Sequence, residues 1–137
     1  MRKLIILCAV CAVMLFAKED YELKLYEKIL PDIFMQTPIY IYATHEAKEI
    51  LQKSTKFKLV DRCDKSVVLL VGEDFTHLPV ECKNKPVFAT NYRTFRDNAN
   101  SFGAFYWSKG RPQVYFKQKN VQKFHIKLPS YLRKYER

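Results

Sequence analysis

The first apolar stretch of the chain runs without interruption over residues 4–16. It follows the basic pair Arg2-Lys3 and is followed by Ala17 and the charged segment Lys18-Glu19-Asp20. A basic start, an apolar centre of about 7–15 residues and a small residue before a polar segment are the parts of a secretory signal peptide. The stretch is shorter than the roughly 20 apolar residues of a membrane-spanning helix. The pattern therefore predicts a signal peptide over residues 1–17, cleaved after Ala17, with an uncleaved N-terminal anchor as the alternative.

Beyond Ala17, the spacing of apolar residues first indicates a helix. Tyr21, Leu25, Ile29 and Ile33 recur at intervals of one helical turn and so fall on one face. This stripe predicts a helix over residues 19–34 that buries one side against the rest of the domain.

Four short runs rich in apolar residues then predict strands. The run Val67–Val71 is apolar at every position, which is the pattern of a strand covered on both faces. A helix that begins after Thr44 and ends near Lys53 separates the run at residues 39–43 from the run at residues 57–60. The predicted strands cover residues 39–43, 57–60, 67–71 and 87–90.

The C-terminal third of the chain predicts a β-hairpin. Residues 103–107 and 113–116 are rich in aromatic and β-branched side chains, and the segment between them contains Gly110. Two short helices, over residues 120–124 and 130–135, are expected to follow. We therefore predict an α/β fold for residues 18–137: a single small domain with a mostly parallel central sheet, an antiparallel C-terminal hairpin and flanking helices.

The charge of the chain bears on the class of partner. The formal net charge falls from +10 to +8 once Arg2 and Lys3 are removed with the signal peptide, so the remaining domain is basic. Acidic residues interleave with its lysines, as expected of an ordinary solvated surface. Attraction to anionic lipid headgroups or to an acidic partner is the alternative interpretation. The predicted export argues against a nucleic acid partner.

Two cysteines, Cys63 and Cys82, remain after Ala17, and in an oxidising compartment such a pair predicts one disulfide. Cys63 precedes the third predicted strand and Cys82 the fourth. If these strands are parallel neighbours, both cysteines lie at the same end of the sheet and close a loop of about 20 residues. The three histidines lack the spacing of metal ligands to these cysteines, so no metal site is predicted.

No sequence motif of a nucleophile elbow, a phosphate-binding loop, a dinucleotide site or a zinc protease occurs. The sequence thus predicts neither catalytic residues nor a cofactor. His45, Glu73, Asn91 and Arg93 follow predicted strands, at the edge where open α/β sheets bind ligands. They could hold a small anion, with Arg93 as a bidentate donor. Helix capping and surface charge are the competing explanation.

The hairpin contains the other candidate site. Trp107 and Tyr106 on one strand, with Tyr115 and Phe116 on the other, place four large rings close together. Because side chains alternate between the faces of a strand, half of the rings in the hairpin should point outward. We take these four residues as candidates for a partner-binding surface, to which only the outward-facing rings can contribute.

Several C-terminal segments resemble a known family. Gly103–Trp107, Val114–Phe116 and Ile126–Leu132, with a cysteine before the strand at 67–71, resemble the corresponding parts of YfiR-like periplasmic proteins. The resemblance covers the chain from Cys63 onward. The chain departs from the family in being shorter and in having two cysteines after the signal peptide where the best-known members have four.

The resemblance implies a regulator without catalytic activity. Proteins of this family lie in the periplasm and inhibit the sensor part of an inner-membrane signalling protein, of the diguanylate cyclase or sensor kinase type. The alternative hypothesis is a periplasmic module that binds a small anion at the strand ends. The sequence thus leaves two functions of different class to be distinguished.

Overall fold

Six strands form the central sheet of the computed structural model, which describes residues 2–72 and 78–137, with side chains from Ala17 onward in the first helix. In chain order they are β1 (Ile39–Ala43), β2 (Phe57–Leu59), β3 (Val68–Val71), β4 (Val87–Ala89), β5 (Ser101–Ser108) and β6 (Arg111–Phe116). Their order across the sheet is β2-β1-β3-β4-β5-β6. The first five strands are parallel, and β6 is antiparallel to β5. The predicted α/β fold is confirmed.

Among the described residues, four α-helices and a C-terminal 3₁₀ helix flank the sheet, and two 3₁₀ turns, Cys63–Lys65 and Val80–Cys82, contain the predicted cysteine pair. The flanking helices are α1 (Arg2–Phe34), α2 (His45–Leu51), α3 (Tyr92–Asp97), α4 (Gln118–Lys123) and the 3₁₀ helix Ser130–Tyr135. The sequence pattern missed α3, and α1 extends the predicted helix back through the apolar N-terminal stretch. Within the described part of the chain, no helix combines the length and apolar character that a membrane crossing needs.

The main core lies between α1 and one face of the sheet. The ring of Tyr26, which is 1% exposed, meets Phe88 and Phe105 edge-on at centroid distances of 6.0 and 6.1 Å. Near the end of the helix, Phe34 packs on Phe102. The buried face of α1 is formed by Tyr26, Ile29, Leu30 and Ile33, whereas Tyr21 of the predicted stripe is 45% exposed. Burial of each such aliphatic side chain contributes about 1.5–3 kcal/mol.

The opposite face of the sheet is covered by a smaller cluster that contains the two cysteines. Cys63 and Cys82 form a disulfide, with Cα atoms 5.1 Å apart. Both pack with Leu69 and Val87, which are paired in register on the parallel neighbours β3 and β4. The predicted cysteine pair is therefore confirmed, together with the strand arrangement from which it was inferred.

The hairpin is fixed by two irregular features. The pairing of β4 with β5 shifts register between Val87 and Phe88, which brings Gly103 opposite Phe88. At the far end, Glu136 forms an isolated parallel bridge with Phe116 on β6, and Arg137 N donates to Phe116 O at 2.8 Å. The chain therefore covers the end of its own edge strand, where unpaired backbone groups would otherwise face solvent.

Candidate functional site

Threonine side chains fill the space between the carboxyl ends of β1, β3 and β4. Thr44 Oγ1 accepts a hydrogen bond of 2.9 Å from Gly72 N, and Thr94 Oγ1 donates one of 2.9 Å to Gly72 O. A Cβ atom on Gly72 would lie only 3.1 Å from Thr90 Oγ1 and 3.3 Å from Thr44 Oγ1. The ends of these strands are therefore packed against protein atoms around Gly72.

Three of the four residues predicted to hold an anion lie at this edge of the sheet, and Glu73 is outside the described residues. His45 begins α2, with Nε2 3.2 Å from Glu49 Oε1 on the exposed surface. Asn91 caps α3, because its Oδ1 accepts a 2.7 Å hydrogen bond from the backbone of Thr94. Arg93 is exposed on α3. No hydrogen bond or ion pair found among the described residues joins any two of these side chains.

The four aromatic candidates of the hairpin divide between the two faces of the sheet. In the register of β5 and β6, Phe105 pairs with Val114 and Ala104 with Tyr115. Tyr106 and Tyr115 consequently share the face that α1 does not cover, and their ring centroids are 6.1 Å apart. Trp107 and Phe116 lie on the opposite face, toward α1.

Phe116 belongs to the core. Its side chain is 0% exposed and its ring packs on Phe88 and Phe102, with centroids 6.3 and 6.4 Å away. This corrects the expectation that Phe116 contributes to an interaction surface, because the alternation of the strand directs its ring under α1. A partner could reach it only if the domain opened.

Trp107 is half-buried against α1. Its Nε1 donates a 2.7 Å hydrogen bond to Glu22 Oε1, and its ring lies 5.5 Å from that of Tyr21. Lys18 Nζ is 5.3 Å from the ring centroid, within cation–π distance. Burial raises the pKa of Glu22, and the hydrogen bond from Trp107 opposes that rise. The predicted binding residue thus joins the hairpin to the first helix.

The uncovered face of the hairpin carries a continuous group of rings and guanidinium groups. Tyr92 on α3 meets Tyr106 at a centroid distance of 5.8 Å and is 53% exposed. Arg96 Cζ lies 5.8 Å from the ring of Tyr92, and Arg137 Cζ lies 4.3 Å from the ring of Tyr115. We refer to these five residues as the tyrosine–arginine surface.

Only two of the five residues of the tyrosine–arginine surface were predicted from the sequence. Tyr106 and Tyr115 were found from the hairpin pattern, whereas Tyr92 depends on α3, which is too short to show a helical period. The available signal was Asn91, since asparagine is a favoured N-cap residue. Arg137 reaches Tyr115 through the bridge between Glu136 and Phe116, a tertiary contact that no local pattern indicates.

Comparison with known proteins gives a likeness of fold. No protein-family model matches the sequence, and a search of curated proteins finds no match. The chain is similar to the crystal structure of a conserved domain protein from Vibrio cholerae O1 biovar El Tor strain N16961, with a TM-score of 0.59 and 8% sequence identity. The likeness covers 83% of this chain and 58% of that one. At such low identity the two proteins are shown to share a fold and nothing further.

Proposed function

We propose that this protein is an exported regulatory module without catalytic activity that binds an inner-membrane signalling protein, of the diguanylate cyclase or sensor kinase type, on its periplasmic side. The observation that carries this proposal is the tyrosine–arginine surface, in which three rings and two guanidinium groups lie side by side on a face that α1 leaves uncovered. The resemblance to YfiR-like proteins supports the class of partner.

The composition of this surface suits a protein interface. Tyrosine and arginine are enriched among the residues that dominate binding energies. The rings of Tyr92, Tyr106 and Tyr115 already pack on one another, so little side-chain freedom would be lost on binding. The net charge of +8 that remains after the predicted cleavage favours a partner surface that presents carboxylates, although Arg96 already donates hydrogen bonds of 2.7 and 3.1 Å to Asp97.

Two further features support export. The apolar N-terminal stretch has the parts of a signal peptide, and the buried pair Cys63–Cys82 fits an oxidising compartment such as the periplasm. The basic charge would also draw the domain toward anionic lipid headgroups, which would keep it close to a membrane-bound partner.

The alternative, an anion site at the strand ends, has less support from the geometry. The threonines pack the space around Gly72, and the Oδ1 atom of Asn91 is used to cap α3. Arg93 nevertheless remains exposed next to the tyrosine–arginine surface on the same helix. It therefore provides a matched control, because the anion hypothesis needs this residue and the interface hypothesis does not.

The test is a crosslink and pull-down of the tagged protein from native envelopes. The wild type should recover an inner-membrane cyclase or sensor kinase. N-terminal sequencing of the tagged protein from the same envelopes should show Lys18 as its first residue. Y106A/Y115A should reduce recovery by tenfold or more, since hot-spot residues contribute about 2 kcal/mol or more each. R93A should leave recovery unchanged, and circular dichroism should show that both variants are folded.

Either of two results would reject the interface. The first is recovery of the signalling protein at the wild-type level by a folded Y106A/Y115A variant, and the second is loss of recovery in R93A alone. Failure to recover any inner-membrane signalling protein would reject the proposed partner class, and a thermal-shift screen of small anions would then test the alternative.

A further inference from the structure

A groove of about 560 Å³ lies between α1, β6 and the C-terminal 3₁₀ helix. It is on the face of the sheet that α1 covers, opposite the tyrosine–arginine surface. Leu25 and Ile29 from the helix, Val114 from the edge strand and Leu132 from the 3₁₀ helix give it apolar walls. Its volume is within the range of about 300–1,000 Å³ that is typical of small-molecule sites.

The charged side chains that line the groove are all of one sign. Lys24, Lys28 and Lys134 line it, and none of the described residues that line it is a carboxylate. The aromatic rings among the lining residues hold some of this charge in place: Lys28 Nζ lies 5.4 Å from the ring centroid of Tyr131, and Lys134 Nζ lies 5.2 Å from that of Tyr135. An apolar wall beside three ammonium groups is complementary to an anion with an apolar body.

Two of the lysines are paired with carboxylates that are not among the lining residues, and Asp32, the partner of Lys28, also accepts a hydrogen bond from the Tyr131 hydroxyl. Lys24 Nζ is 3.1 Å from Asp20 and Lys28 Nζ is 3.1 Å from Asp32, each pair one helical turn apart. Both lysine side chains are more than two-thirds exposed, at 73% and 69%. Exposed pairs of this kind contribute little to stability, so these ammonium groups can turn to a ligand at small cost.

We infer that this groove binds a free single-chain amphipathic carboxylate of the fatty-acid class. The acyl chain of the ligand would lie along Leu25, Ile29 and Val114, where its apolar surface is removed from water. The carboxylate of the ligand would lie among the lysines. The size of the groove suits one acyl chain rather than the two chains of a phospholipid. This inference does not depend on the proposed partner, which would bind the other face of the sheet.

The single tryptophan of the chain provides a local reporter. Tyr21 lines the groove, and its ring centroid is 5.5 Å from that of Trp107. Bromine quenches tryptophan fluorescence at short range, so a brominated carboxylate bound here should quench Trp107. A brominated ligand bound on the opposite face of the sheet or at the strand ends should quench the Trp107 fluorescence much less.

The experiment titrates the purified protein with dodecanoate, its brominated form, dodecanol and dodecyltrimethylammonium, all below their aggregation concentrations. Dodecanoate should raise the melting temperature, because a ligand that binds only the folded state stabilises it. Brominated dodecanoate should quench Trp107 in a saturable way. The affinity of K24Q/K134Q should fall about tenfold, as expected when two exposed charge contacts are lost, while K65Q/K83Q, on the disulfide side, should bind like the wild type.

Several results would overturn the inference. Binding of dodecanol or of the cationic amphiphile as tight as that of dodecanoate would mean that the lysines do not select the head group. A loss of affinity in K65Q/K83Q equal to that in K24Q/K134Q would place the anion elsewhere. Binding to vesicles that contain phosphatidylglycerol, without binding of dodecanoate, would assign the lysines to lipid phosphates instead of a free carboxylate.

Discussion

The indole of Trp107 donates a 2.7 Å hydrogen bond from Nε1 to Glu22 Oε1, across 85 positions of sequence. This bond ties the hairpin to the first helix, and the rings of Tyr21 and Phe105 pack on the same indole at 5.5 and 5.7 Å. Trp107 therefore contributes to the stability of the domain, which makes it a poor choice for testing partner binding.

Replacing Trp107 by phenylalanine should destabilise the protein by about 1–3 kcal/mol, because the half-buried Glu22 carboxylate loses its hydrogen-bond donor. Urea unfolding measures this change directly. Y106F on the same strand is the matched control, and removal of its hydroxyl should cost less than about 0.5 kcal/mol. Equal stabilities of W107F and the wild type would show that the bond does not hold the hairpin to α1.

The stability contributed by Glu22 should depend on pH. Burial raises the pKa of Glu22 above its ordinary value of 4.5, so the folded state binds the proton more tightly than the unfolded chain. The resulting stability is fully present below pH 4.5 and is lost as the pH rises through the folded-state pKa.

The comparison of wild type with E22Q isolates this effect. Unfolding free energies measured from about pH 4 to pH 7 should favour the wild type progressively more as the pH falls. A difference between wild type and E22Q that stays constant with pH would contradict the raised pKa.

Removal of the disulfide should cost about 3 kcal/mol, the chain-entropy value for a closed loop of this length. The sequence separation of Cys63 and Cys82 is 19, and both side chains are buried. Urea unfolding of C63A/C82A should show the loss, and reductant should lower the stability of the wild type while leaving the variant unchanged. Free thiols at both positions in the unreduced exported protein would refute the pairing.

Gly103 should not tolerate a side chain. A Cβ atom there would lie 2.8 Å from Phe116 Cδ1 and 2.9 Å from Phe88 Cε2, so G103A should destabilise by about 1–3 kcal/mol through overpacking. Thermal unfolding would measure the loss. Gly110 gives the control: its φ of 75° suits asparagine and its Cβ direction is open, so G110N should change stability by less than about 0.5 kcal/mol.

The strands and the cysteine pair could be predicted because their causes are local. The run at Val68–Val71 is apolar at every position, and each of its residues is buried in the structure. A helix or loop separates successive predicted strands, which favours parallel neighbours and places Cys63 and Cys82 at one end of the sheet. The class of fold and the disulfide follow from these patterns together.

The candidate site was harder to predict, because its geometry depends on contacts between distant segments. Alternation divides the hairpin rings into two sets, but only the packing of α1 determines which set is covered. The capping role of Asn91 and the contact of His45 Nε2 with Glu49 likewise engage predicted ligand residues in local structure. Sequence patterns name such residues without indicating which of their atoms are already used.

The hydroxyl of Tyr131 donates a hydrogen bond to Asp32 across 99 positions of the chain. The first helix and the last one therefore meet, and α1 cannot make this contact until the C-terminal segment has been synthesised. Contacts of such long range slow folding, because a large loop must close before they form. The contact between the two helices therefore forms late, only after the C-terminal segment is available.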